Sequence, residues 1–217
     1  IMLKMLSSLG DGAQKMSMML TGTEPLLYPE YPLLVREAKR AGLKTSITTN
    51  GLMLEKEAAT LVDIGLDELT LSIDGPPEIH DDIRGRKGLF ERILKGVELL
   101  KERKQAADTK YPEVCISFTI SRDNHLSIAG FFESIRVIEP KAVFISHLNF
   151  VSPEVASRHN AAYPEFSIAP SSIEAWKETL KMDFYSLFYQ LEEARKIGWT
   201  EVSIIPHTPT LSRLKWY

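Results

Sequence analysis

Short apolar runs alternate with amphipathic stretches along the first two-thirds of the chain, and that rhythm restricts the fold more than any other feature. MSMML (16–20), KTSITTNG (44–51), DELTLSID (67–74), EVCISFTIS (113–121) and KAVFISHLNF (141–150) have strand length, with β-branched residues prominent in the second. Between them, PLLVREAKRAG (32–42), EKEAATLVDIG (55–65), LFERILKGVELLKERKQ (89–105) and SIAGFFESIRVIE (127–139) repeat apolar residues at helical spacing. The first two stop at Gly42 and Gly65, the usual end signal of a helix. Strands separated by helices cannot pair as hairpins; the crossovers force parallel neighbours with right-handed connections. The expected class is therefore α/β, with parallel strands and outer helices.

The rhythm changes after Phe150. VSPEVASRHNAAYPEFSIAPSS (151–172) is rich in turn formers and reads as a functional loop or lid. SIEAWKETLKMDFYSLFYQLEEARKIG (172–198) reads as one long helix whose aromatics Trp176, Phe184, Tyr185, Phe188 and Tyr189 serve core and lid packing. TEVSIIPH (200–207) has the character of a further strand, and GPPEIHDDIRGRKG (75–88) reads as a polar loop. At 217 residues the chain suits one substantial core. Residues 1–150 are expected to form that core, and 151–217 to complete or extend the same domain.

Charge and cysteine content exclude several classes. The net charge is −3, and no Lys/Arg-dense run suits nucleic acid or an anionic membrane surface. No apolar run has the length of a bilayer span, and IMLKMLSSLGDGAQK at the amino end lacks the pattern of a signal peptide. The expected location is the cytoplasm. Cys115 is the single cysteine, so no internal disulfide can form, and the five histidines show no zinc spacing. No metal ligand is assigned on this chain.

In parallel sheets ligands sit at the carboxyl ends of the strands. There the sequence places Thr21-Gly22-Thr23-Glu24, then Thr48-Thr49-Asn50-Gly51, then Ser72-Ile73-Asp74-Gly75, then Ser121-Arg122-Asp123-Asn124, and finally Ser146, His147 and Asn149. Each alone is an ordinary turn or helix cap. Five in succession on one rim point to a binding site.

These segments resemble the radical S-adenosylmethionine (radical SAM) enzymes. Gly22-Thr23-Glu24-Pro25, with LLYPEY behind it, is similar to that family's GGEP segment. The likeness continues through KTSITTNG and LTLSIDGP, and SIDGPPEIHDDIRGRKGLFERILKGVELL (72–100) resembles the SPASM and sulfatase-maturase branch. The resemblance implies a partial (β/α)6 barrel whose first strand is missing from this chain, binding S-adenosylmethionine (AdoMet) at its rim. By position, the carbonyls of Thr21, Gly22 and Thr23 and the Glu24 carboxylate meet the ammonium. Thr49 and Asn50 are their second-strand counterparts, and Ser72 and Asp74 lie near the ribose or methionine moiety. Ser121, Arg122 and Asn124 fall where the ribose or carboxylate is met, with Arg122 able to pair with the carboxylate. His147 lies either near the adenine or in the core. His80, Asp81 and Arg84 are expected to fix their own loop through hydrogen bonds and ion pairs.

The implied activity is reductive cleavage of AdoMet to a 5′-deoxyadenosyl radical that abstracts hydrogen from a substrate, a peptide, a protein side chain or a small molecule. It implies a [4Fe–4S] cluster on three closely spaced cysteines and an electron donor such as flavodoxin or ferredoxin. No such triplet occurs here. Either the cluster segment precedes residue 1, or the chain is a catalytically silent binding or scaffold module; Thr23, where the family has its second glycine, favours the latter mildly. A sugar- or phosphate-metabolising barrel is disfavoured, because no glycine-rich phosphate loop is present.

Overall fold

The computed structural model describes residues 16–147, 151–170 and 181–205. Six strands form one sheet: β1 (Ser17–Leu20), β2 (Lys44–Thr49), β3 (Glu68–Ser72), β4 (Glu113–Ile120), β5 (Ala142–His147) and β6 (Glu201–Ile205). They lie side by side in chain order, every neighbouring pair parallel. Right-handed crossovers between strands that never reverse order put every connecting helix on the same side of the sheet. The result is a singly wound partial barrel, open between β1 and β6 among the described residues.

The helices are α1 (Tyr31–Arg40), α2 (Leu54–Asp63), α3 (Pro77–Ile83), α4 (Leu89–Ala106), α5 (Ile128–Ile135), α6 (Pro153–Ala162) and α7 (Phe184–Ala194). Strand alternation divides the sheet into two unlike faces. Ile47, Leu69, Leu71, Ile116, Phe118, Val143 and Ile145 are fully buried in the main core cluster, and they occupy the helix-covered face. Each such side chain contributes roughly 1.5–3 kcal/mol on removal from water, as an upper bound. The alternate positions on the other face are dominated by serine and threonine.

At the amino ends of the strands, Asp67 ties three elements together. Lys39 of α1 donates to its carboxylate at 2.5 Å, and the Thr45 amide and hydroxyl of β2 donate at 2.8 and 3.0 Å. On the outer layer α2 and α4 meet at Gly96, where an added Cβ would lie 2.6 Å from Leu54 Cγ. That glycine sets the separation of the two helices.

Three segments differ from expectation. Within 75–88 a helix, α3, starts on Pro77, whose fixed φ suits a first helical position; periodicity missed it because only His80 of its residues is buried. Within 151–172, α6 is capped by the Ser152 hydroxyl, which accepts from the Val155 amide at 3.2 Å, and buries only Ala156. Of the long helix expected over 172–198, the described part is α7, capped by Asp183; Trp176 lies outside the described residues, as do Asn149 and residues 206–207.

Candidate active site

Glu24 organises the first part of the rim. The residue is 9% exposed, and its side chain accepts three hydrogen bonds: from the Thr49 hydroxyl (2.7 Å), the Asn50 amide (2.9 Å) and the Leu26 amide (3.1 Å). The last of these caps a single 3-10 turn, Pro25–Leu27, so one carboxylate joins the exits of β1 and β2. Glu24 is thereby a positioning residue for the backbone before it. The turn that follows draws on the Glu24 and Pro25 carbonyls, and none of its bonds uses those of Thr21, Gly22 or Thr23. Gly22 has φ +136°, a conformation that other residues rarely adopt. These three residues are exposed on the rim, and Thr21 and Thr23 border an open depression of about 380 Å³ with Leu20, Tyr28 and Tyr31.

Thr49 shares its row with Leu71 on the helix-covered face and acts on the rim through Glu24; its hydroxyl also accepts from the Gly51 amide at 3.1 Å. The Asn50 side chain accepts from the Leu52 amide at 2.9 Å, closing a turn.

Asp74 organises the second part. It is 4% exposed; its carboxylate accepts from the Thr119 amide at 3.0 Å and pairs with Arg84 at 2.6 Å. Asn124, 1% exposed, donates to the Asp74 carbonyl (2.9 Å) and the Thr119 carbonyl (2.8 Å) and accepts from the Ser121 amide (2.7 Å). Together they lock the exits of β3 and β4 to each other. The Asp74 amide donates to His80 Nδ1 at 3.2 Å, which leaves the hydrogen on Nε2. That ring is fully buried, stands edge-to-face with Phe90 at 5.9 Å, and its Nε2 has no hydrogen-bond partner among the described residues. Burial lowers the His80 pKa to about 4, against the opposing pull of the Asp74 charge. Asp81 accepts from the Gly88 amide and, at 2.9 Å, from the Phe90 amide, so it holds the start of α4. His80, Asp81 and Arg84 thus form the internal network expected of this segment.

The remaining rim residues divide. The Ser72 hydroxyl, half-buried on the inner face, makes no hydrogen bond among the described residues. The Ser121 hydroxyl accepts from the Asp123 amide at 3.3 Å, and Arg122 pairs with Asp123 at 3.1 Å on the exposed loop. His147 follows Ile145 in strand alternation, on the helix-covered rows, and burial lowers its pKa. Sequence reasoning missed His125, which bonds the Arg122 carbonyl at 2.7 Å and accepts from the Asp183 amide at 3.0 Å. It also missed Gln190, which accepts from the Ile128 amide at 3.0 Å. Both tie α7 back to the β4–α5 loop, and neither has a local motif to betray it.

The residues present suit one part of the implied chemistry and not the other. Unengaged carbonyls beside a glycine at the rim are what an ammonium requires. An iron–sulfur cluster requires several thiolates, and this chain has one cysteine. Cys115 is buried mid-strand, and burial, with the Glu68 charge adding, pushes its thiol up to about 12. It stays protonated at neutral pH, and one buried thiol cannot supply the set of thiolates a cluster takes. Among the described residues no group of three or more potential metal ligands occurs, and no helix is long and apolar enough to cross a membrane.

Comparison with known proteins agrees with this architecture. The pattern of the radical SAM superfamily matches residues 4–115. An AdoMet-dependent heme synthase from Methanosarcina barkeri is 35% identical over 138 residues, covering 63% of this chain and 37% of that protein. A GTP 3′,8-cyclase from Chlorobaculum tepidum is 40% identical over 93 residues, or 42% of this chain and 28% of the relative. The chain thus spans well under half the length of these curated relatives. Among solved structures, native anSMEcpe with bound AdoMet superposes with a TM-score of 0.62 at 18% identity, covering 94% of this chain and 52% of that one. Streptococcus suis SuiB bound to S-adenosylmethionine gives 0.56 at 14% identity, covering 87% and 38%. These neighbours are of the maturase type, and the likeness to them is one of fold. With more than half of its length matched by the superfamily pattern, the chain belongs to the radical SAM superfamily.

Proposed function

We propose that this chain is the AdoMet-binding core of a radical SAM enzyme, acting on a substrate held in the partial barrel. Residues 1–150 carry the binding rim, and 151–217 extend the same domain. The observation that carries this reading is the Glu24 hub, which anchors the chain directly after Thr21–Gly22–Thr23, whose carbonyls accept no hydrogen bond among the described residues at the carboxyl ends of the strands. Those carbonyls take the ammonium of AdoMet. Ser72 offers its hydroxyl to the ribose, and Asp74 and Asn124 hold the β3 and β4 exits at a fixed spacing around it. Ser121 and Arg122 close the other side, Arg122 toward the carboxylate, while His147, on the helix-covered rows, belongs to the core side of the sheet.

When bound beside a [4Fe–4S] cluster, AdoMet supplies reductive carbon–sulfur cleavage and a hydrogen-abstracting radical. The cluster's thiolates are not among these residues, so no step through it is derived from them. A flavodoxin- or ferredoxin-type protein is the fitting electron donor for such chemistry. Thr23, where the family has its second glycine, favours a second reading, a binding module without redox activity.

Calorimetric titration with AdoMet separates the alternatives. The wild-type chain is expected to bind at one site, and Gly22→Val, which forces a β-branched residue to φ +136°, to bind at least about tenfold more weakly. Formation of 5′-deoxyadenosine by the full-length protein after anaerobic iron and sulfide reconstitution then distinguishes enzyme from silent module. Absence of AdoMet binding sinks both the enzyme reading and the rim assignment.

A further inference from the structure

The inner face of the sheet has a composition that the AdoMet rim uses only at Ser72. Strand register sets Thr48 beside Thr70, Ser72 beside Ser117, and Thr119 beside Ser146, in successive rows rising toward the rim. Adjacent strands lie about 4.8 Å apart and alternate residues roughly 6.6–7 Å apart along a strand, so these six hydroxyls form a two-dimensional array. The opposite face of the same strands carries the buried aliphatic and aromatic core. Among the described residues, none of the six hydroxyls has a hydrogen-bond partner in the protein, yet none is a sealed orphan of the kind seen at His80 Nε2. Thr70 is the most enclosed, at 9% exposed, and the other five are half-buried; each hydroxyl is able to donate once and accept twice.

Charge is distributed as tellingly. No lysine or arginine stands in the three hydroxyl-bearing rows of β2 to β5. Charged residues on this face gather at the far end, where Lys44, Glu68, Glu113 and Lys141 surround a cavity of about 260 Å³, and Lys141 donates to Glu113 at 2.5 Å. A polyanion lying on the wall would find neutral hydroxyls and, below them, lysines already matched by carboxylates, so no net positive charge. A broad apolar ring would cover hydroxyls without offering them partners, at a cost for each one desolvated. A neutral group dense in both donors and acceptors meets neither penalty.

We infer that the hydroxyl array on the inner face of β2–β5 is a substrate wall that selects a neutral, hydrogen-bonding segment, whose donors and acceptors come from a peptide backbone or a sugar. The inference rests on the proposed function in placing substrate inside the barrel; it concerns the inner face below the AdoMet rim, which it meets at Ser72. Thr70 and Ser117 are its specificity-determining residues, since they stand on the two central strands below the rim.

The test is a binding panel in the absence of AdoMet, using the full-length protein and calorimetry or ligand-observed NMR. The probes are an acetylated and amidated peptide of glycine, serine and alanine, the neutral oligosaccharide maltohexaose, and GTP as a polyanion. The peptide or the oligosaccharide is expected to bind more tightly than GTP, and whichever binds identifies the source of the neutral groups. Thr70→Val and Ser117→Ala each remove one hydroxyl with little change of shape, and each is expected to weaken that probe by roughly two- to tenfold. Thermal unfolding of both variants checks that they fold; if one does not, the other decides. Tighter binding of GTP, no binding of either neutral probe, or unchanged affinity in the folded variants overturns the inference. Failure of AdoMet titration with a positive probe panel would instead overturn the proposed function and leave the wall standing.

Discussion

At the residue scale, two buried polar hubs account for the shape of the rim, and both make energetic predictions. In Glu24→Gln the side-chain amide nitrogen cannot accept, so a donor among Thr49, Asn50 and Leu26 loses its acceptor in a nearly dry setting. The expected loss is about 1–3 kcal/mol in urea unfolding. Thr49→Val should then cost less in the Glu24→Gln background than in the wild type, because the two groups share one bond. Equal costs in both backgrounds would show that the hub is not coupled. His80 gives a pH dependence. Its folded pKa lies near 4, below the ordinary 6.5, so the folded state favours the neutral ring. Its contribution is complete above pH 6.5 and is lost as pH falls toward 4, when the unfolded chain takes up the proton first. Between pH 7 and pH 5 this group alone should remove about 2 kcal/mol of stability. Urea midpoints measured at the two pH values, compared with those of His80→Gln, check it; an identical pH response in the variant would contradict it.

At the element scale, register and glycine placement fix how the helices sit on the sheet. Gly96→Val would drive a branched side chain into Leu54 and to within 3.0 Å of the Glu55 amide, displacing α4 from α2. Destabilisation of about 1–3 kcal/mol is expected, read as a lowered midpoint in chemical denaturation, whereas the neighbouring exposed Lys95 should tolerate alanine. The strands and the amphipathic helices were legible in the sequence because each buries one face, which prints a period of two or of 3.6 along the chain. α3 and α6 were not, because each buries a single residue and so leaves no period to read. The rim was legible as a set of positions, since parallel strands end in loops of recognisable composition. What each side chain does there was not. Glu24 and Asp74 invite reading as ligand groups, and the structure instead engages both carboxylates with backbone amides and neighbouring side chains. His125 and Gln190 reach partners some sixty residues away, and a contact of that kind has no local signature.

At the scale of the whole molecule, the chain-order sheet separates three surfaces. Helices cover the apolar face, the carboxyl ends of the strands carry the two hubs, and the inner face offers hydroxyls. AdoMet bound at the rim should slow amide exchange only where the carboxyl ends of the strands meet it. Hydrogen–deuterium exchange with and without AdoMet tests this most directly. Protection is expected in the peptides containing Thr21–Glu24, Asn50, Ser72–Asp74 and Ser121–Asn124, with no change around Lys44, Asp67 and Glu113 at the opposite end. Protection confined to that opposite end, or none at saturating AdoMet, would contradict the placement of the site.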